Sequence, residues 1–246
     1  MVLPTQSVFA IRSSEPELMD DPACEERSLF TTLAHFKFIN SLFARTHTLT
    51  RTLLMPDMKS DAREYSIIDA GCGGGDQSVR IARLCKAQNI KCTVKGIDID
   101  ERTVTFARQR WRNCSNVSFE TASIFDLPDN GSAADYIVLT NVLHHFTDAE
   151  IPVIVTHLCK AVRRGVLIAD LERSPFWYTA FSLFARTMLH GGFSRRDGLL
   201  SIRKGFTTSE FMELGRVMPD SFRATSGKLL PGRLFLFCQK GIRHAS

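Results

Sequence analysis

The sequence predicts an α/β protein. Its expected fold is a doubly wound, mostly parallel sheet of seven strands, ending in an antiparallel hairpin, with N-terminal helices and a helical insert. Three observations lead there. Short apolar runs alternate with helix-like segments between residues 65 and 171. The runs are almost wholly apolar, as strands covered on both faces are. Residues 221–240, SFRATSGKLLPGRLFLFCQK, read as strand, loop and strand.

Taken in order, residues 1–26 hold Pro4, Pro16, Pro22 and six carboxylates from Glu15 to Glu26, and are expected to be a flexible segment. Leu29, Leu33, Phe36, Ile39 and Phe43 then recur at helical spacing, so a helical cap is expected over 27–60. Residues 65–71, YSIIDAG, form an apolar run ending in glycine, the first strand. Val79, Ala82, Leu84 and Cys85 fit the helix after it. Residues 92–98 are the second strand, and Asp100 is placed to cap a helix reaching about residue 111. Residues 117–122 and 134–143 are the third and fourth strands. Asp148 is placed to cap a helix to about residue 163, and 165–171 is the fifth strand.

An insert follows from 171 to 206. Ser174-Pro175 opens a helix and Gly191-Gly192 stops it. Phe176, Trp177, Tyr178, Phe181 and Phe184 leave that helix almost no polar face. It is therefore core packing or a lid over an apolar molecule. Arg195, Arg196, Arg203 and Lys204 read as solvated surface, or else as recognition of an acidic substrate or carrier. A further helix is expected near 208–217.

The 246 residues are 44% hydrophobic and carry a formal charge of +5, too mild a balance to mark a nucleic-acid binder. Seven cysteines lie scattered without a CxxC pair. Neither a zinc site nor a disulfide framework is expected, and reduced thiols suit the cytoplasm. The N-terminus lacks the pattern of a signal peptide. The longest apolar stretch, 176–190, is too short to span a membrane and contains Arg186.

Ligands of such folds sit beyond the carboxyl ends of the strands. There the sequence reads Asp69-Ala70-Gly71-Cys72-Gly73-Gly74-Gly75-Asp76. The third glycine of a dinucleotide fingerprint is missing, its place taken by Asp76. Asp69 beside the turn would repel a diphosphate and attract a cationic ligand. S-adenosylmethionine has an ammonium, a sulfonium and no phosphate. Gly71 and Gly73 would leave room for its nucleoside. Asp98, ending the second strand, is placed to accept both ribose hydroxyls. Ile99 would cover an adenine face, and Ala122 and Ser123 would reach its edge. Cys72 is expected to offer backbone contact only. Asp76 reads mainly as an acid at the start of the helix that follows. His145 and His144 follow the fourth strand and are the candidate bases for removing an acceptor proton. His190 is a third candidate.

The segments IIDAGCGGGDQSVRIA, VKGIDID, VSFETASIFDLP and DYIVLTNVLHHF, in that order, resemble the class I S-adenosylmethionine-dependent methyltransferases over residues 65–171. The likeness is strongest to small-molecule enzymes of the quinone and phenolic type. It implies a Rossmann-like core over 61–246, with the insert as lid. It also implies S-adenosyl-L-methionine as cofactor, with Asn141 beside its methionine part. The residue matching Ser123 is often an aspartate in that family, so serine here is a departure. The expected reaction is O-methylation of a small hydrophobic aromatic or polyketide-like acceptor, by a monomer or homodimer and without a metal. C-methylation of a quinone-like ring is the alternative. A non-catalytic cofactor-binding partner protein and a nicotinamide-dependent oxidoreductase are readings from other classes.

Overall fold

The computed structural model describes residues 6–59 and 63–241. After an N-terminal stretch, the chain forms α1 (Glu26–Ile39), then short helices α2 (Thr46–Leu49) and α3 (Met55–Met58). The core alternates β1 (Tyr65–Ala70), α4 (Asp76–Ala87), β2 (Cys92–Asp98), α5 (Glu101–Arg110) and β3 (Val117–Thr121). It continues with β4 (Ala134–Thr140), α6 (Glu150–Ala161) and β5 (Val162–Leu171). The insert holds α7 (Pro175–Met188) and α8 (Ser194–Lys204). Last come α9 (Thr208–Glu213), β6 (Phe222–Leu229) and β7 (Arg233–Lys240).

The seven strands lie in the order β3-β2-β1-β4-β5-β7-β6. β1 to β5 pair in parallel, whereas β7 runs antiparallel to β5 and to β6, as the hairpin reading requires. The central strands are apolar on both faces. Ile68, Ile137, Leu139 and Ile168 pack on one face with Ile154 and Leu158 of α6. Ile67, Val138 and Leu167 pack on the other with Ile81 and Cys85 of α4. Each such side chain stabilises the fold by roughly 1.5–3 kcal/mol.

Local expectations fared unevenly. Asp100 does cap α5, accepting from Arg102 N at 2.9 Å. Asp148 does not cap α6. Thr147 and Glu150 close that turn reciprocally, through Thr147 N to Glu150 Oε2 at 2.9 Å and Glu150 N to Thr147 Oγ1 at 3.3 Å. Asp148 pairs with Arg12 instead.

The basic stretch after the first insert helix is itself a helix, and its charges do not all face water. Lys204 is buried, with its ammonium 3.5 Å from the Glu17 carboxylate, and Arg203 pairs with Glu15. The N-terminal segment expected to be flexible supplies those partners. Its residues 1–5 lie outside the described residues, but Arg12, Glu17 and Asp20 all bond to the core.

Candidate active site

The chain leaves β1 through a turn that only an unusual backbone can make. Gly71 N and Cys72 N both donate to Ile97 O, at 2.8 and 2.9 Å, which pins the turn onto β2. Gly71 has φ 69°, and a Cβ there would collide with the Val142 side chain. Crowding at Gly71 thus comes from the protein's own packing. Gly73, with φ 50°, has only Leu33 near its missing side chain, at 3.9 Å, and borders open space.

Three carboxylates surround this turn. Asp69 is buried and accepts from Ser78 Oγ at 2.5 Å; burial pushes its carboxyl up to about 7 against that bond. Asp98 accepts from Gly73 N at 2.9 Å and Asp100 N at 3.1 Å, and burial raises it too. Asp76 follows Gly75, the N-cap of α4, and is the acid in that helix's first turn. Its Oδ2 is buried without a hydrogen-bond partner among the described residues, and burial raises its pKa despite the charge of Arg80. None of the three forms a salt bridge among the described residues.

Of the residues expected at the site, all but His190 line one cavity of about 700 Å³: Asp69, Gly71, Cys72, Gly73, Asp98, Ile99, Ala122, Ser123, Asn141, His144 and His145. Ile99 is 78% exposed at its rim. The Cys72 thiol is buried and held well above its usual pKa, by burial first and then by Asp69 and Asp98. Ser123 caps a short turn over Ile124–Asp126, its Oγ accepting from Phe125 N at 3.2 Å. Asn141, with φ 57°, accepts from Arg233 Nη1 at 2.6 Å. His190 is exposed and does not line the cavity.

His144 and His145 sit side by side in a short turn over Leu143–His145, yet their surroundings differ. His144 is buried, its Nδ1 2.7 Å from Asp170 Oδ1 and its Nε2 3.5 Å from Glu17 Oε1. Burial alone would lower its pKa, but Asp170 and Glu17 bring it up to about 9. Glu17 mirrors this: burial would raise it, but His144, with His145 and Lys204, draws it down to about 2. His145 is less enclosed and hydrogen-bonds through Nδ1 to Asp20 Oδ2 at 2.8 Å. Glu17, His144 and His145 also bring metal-binding atoms within 4.8 Å of one another, but Lys204 and the Ser201 hydroxyl already satisfy Glu17 there.

The cavity also has apolar walls, formed by Phe36, Phe43, Trp177, Phe181 and Phe184. α7 is not a buried helix. Phe176, Leu183 and Met188 are 68, 53 and 56% exposed, while Trp177, Ala180, Phe181 and Phe184 border the cavity.

Sequence reasoning missed Gln77, Asn40 and Arg233, all of which line the cavity. Gln77 is buried and bonds Thr46 through Oε1, leaving Nε2 without a described partner. Its place one residue after Asp76 was the available signal. Asn40 and Arg233 gave none, because they lie outside the loops that follow the strands.

These features fit S-adenosylmethionine. Unpartnered Asp76 Oδ2 and Gln77 Nε2 can hold its ammonium and carboxylate, and Asp98 its ribose. Comparison with known proteins agrees. Residues 61–171 match a methyltransferase-domain family model. Over 111 residues the chain is 30% identical to a ubiquinone biosynthesis O-methyltransferase of Rhizobium leguminosarum bv. trifolii (strain WSM2304), covering 44% of this chain and 41% of that one. The match thus spans about two fifths of the relative's length.

Two solved structures share the fold. Magnesium protoporphyrin IX methyltransferase from Synechocystis PCC 6803 has a TM-score of 0.51 and 16% identity, over 80% of this chain and 84% of that chain. The plantazolicin methyltransferase BpumL has a TM-score of 0.58 and 14% identity, over 91% of this chain and 92% of that chain. Fold, cavity chemistry and matched domain point the same way: over residues 61–171 the chain is similar to methyltransferases.

Proposed function

We propose that the protein methylates an oxygen of a small, hydrophobic, aromatic acceptor. The carrying observation is that carboxylates, aromatic side chains and a histidine pair all line one cavity. Asp69, Asp76 and Asp98 gather three carboxyl groups that form no salt bridge among the described residues, and a ligand carrying a cation would favour their ionised forms. The aromatic walls favour a flat apolar acceptor. S-adenosylmethionine supplies an electrophilic methyl on a sulfonium.

The chain's own groups do the rest. Asp98 and the glycine turn fix the nucleoside, while Asp76 and Gln77 fix the amino-acid end. Alignment of this kind is worth roughly 7–11 kcal/mol where it is complete. The helices before residue 60 and the insert over 171–206 cover the acceptor and exclude water.

His145 is the base. Asp20 takes Nδ1, so Nε2 is left to accept the acceptor's proton as the new bond forms. His144 is bonded through Nδ1 to Asp170, with Nε2 3.5 Å from Glu17, and instead positions the turn. The relative named for ubiquinone biosynthesis favours oxygen as the acceptor atom over ring carbon. The free thiols of the described cysteines and the absence of a described helix able to cross a membrane fit a cytoplasmic enzyme.

The test is incubation with a panel of phenols and isotopically labelled S-adenosylmethionine. The labelled product's methyl resonance distinguishes ether from ring methyl. The His145→Gln variant should lose roughly 100-fold or more in turnover near neutral pH while keeping cofactor affinity. Unchanged turnover in the variant removes His145 as base. Cofactor binding without turnover on any acceptor removes the enzymatic reading.

A further inference from the structure

We propose that Arg233 is an anion-recognition residue, and that the acceptor is an aromatic molecule bearing a carboxylate. The proposal rests on the acceptor-site reading above and names the substrate class for it.

Arg233 opens β7 opposite Leu171, the last residue of β5, which places it at the end of the sheet where the cavity lies. It is 6% exposed, yet it lines the cavity on the side of Trp177. A guanidinium has five N–H donors. Here one described bond is made, to the neutral amide oxygen of Asn141 at 2.6 Å. No described salt bridge includes Arg233. The opposing charge that acts on it is Asp170, whose oxygens are engaged by His144 Nδ1, His144 N and Leu171 N, at 2.7, 3.2 and 2.7 Å.

A buried cation without an ionic partner is costly, and burial lowers its pKa to about 10 against the pull of Asp170. A planar carboxylate would offset that cost by taking two parallel N–H bonds from the fork. The surrounding walls, Phe43, Trp177, Phe181 and Phe184, suit an aromatic body attached to it. The cofactor's own carboxylate has another donor at the glycine turn, the unpartnered Gln77 Nε2. This leaves Arg233 for the second molecule.

The probe pair is 2-naphthoate and 2-naphthamide, equal in shape and different in charge, titrated into full-length protein holding S-adenosylhomocysteine. Binding is read by calorimetry. The expected result is at least a tenfold preference for naphthoate in the native protein. Arg233→Met should abolish that preference, and Arg233→Lys should keep part of it. Equal affinities, no binding of either probe, or a preference that survives Arg233→Met would each overturn the proposal. A variant that loses S-adenosylhomocysteine affinity tenfold yet keeps the preference would assign Arg233 to the cofactor and also overturn it. If the native protein fails to bind S-adenosylhomocysteine, the methyltransferase reading falls; the naphthoate preference, measured without it, judges Arg233 separately.

Discussion

Asp98 shows how far a single residue can be read. Its place at the end of the second strand follows from a run of apolar residues and a chain reversal, both visible in the sequence. The bonds from Gly73 N and Asp100 N fix its carboxylate before any ligand arrives. Asp98→Ala should weaken S-adenosylhomocysteine binding about 10- to 100-fold, the scale of charge-assisted hydrogen bonds. Calorimetry checks this, and unchanged affinity would end the ribose assignment. Asp76 was harder to read, because an acid in the first helical turn has a ready electrostatic explanation. Only the structure shows that it lines the cavity and that its buried Oδ2 has no hydrogen-bond partner among the described residues. Arg233 was illegible for another reason. Its neighbours in space, Asn141, Asp170 and Trp177, come from separate stretches, and nothing in GRLFLF marks the arginine as buried.

Elements that repeat a local rule were legible, and elements held by long-range contacts were not. The βα alternation could be read because each strand is a compact apolar run. The N-terminal segment, rich in charge and proline, looked solvated, yet it lies across the rim of the site. Arg12 donates to Lys204 O at 2.8 Å and to His144 O and Phe146 O at 3.1 Å each, and stacks over Phe206. Glu17 and Asp20 then reach the two histidines. Leu18 N and Met19 N both donate to Asp197 at 3.0 Å, tying the same segment to α8. Such contacts join residues more than a hundred positions apart, which no local pattern reveals. Arg12→Ala should therefore cost about 1–3 kcal/mol of stability and lower turnover more than cofactor affinity. Denaturant titration and steady-state kinetics check the two halves. A variant as stable and as active as the native protein would show the segment to be passive.

Across the whole molecule, the buried charges set an acid-side stability optimum. His144 has its pKa raised from 6.5 to about 9, so its contribution is complete below about pH 6.5 and fades as pH rises through 9. Asp69 is raised from 3.8 to about 7, so its contribution is complete below about pH 3.8 and is lost as pH rises to about 7. Glu17 is lowered from 4.5 to about 2, so its contribution is complete above about pH 4.5 and is lost as pH falls toward 2. The ligand-free protein should thus be most stable at about pH 4–4.5, where Glu17 is ionised and Asp69 still largely protonated, and weaken steadily toward pH 9. A cationic ligand reverses part of this slope, because it binds best when Asp69 is ionised. Its affinity should rise with pH through about 7, where the empty fold weakens. Urea unfolding midpoints across this range, with and without S-adenosylmethionine, measure both trends in one experiment. A ligand-free midpoint that rises from pH 6 to 9 would contradict the charge assignments at His144 and Asp69. A cofactor affinity that falls over the same range would mean that the carboxylates do not meet a cation.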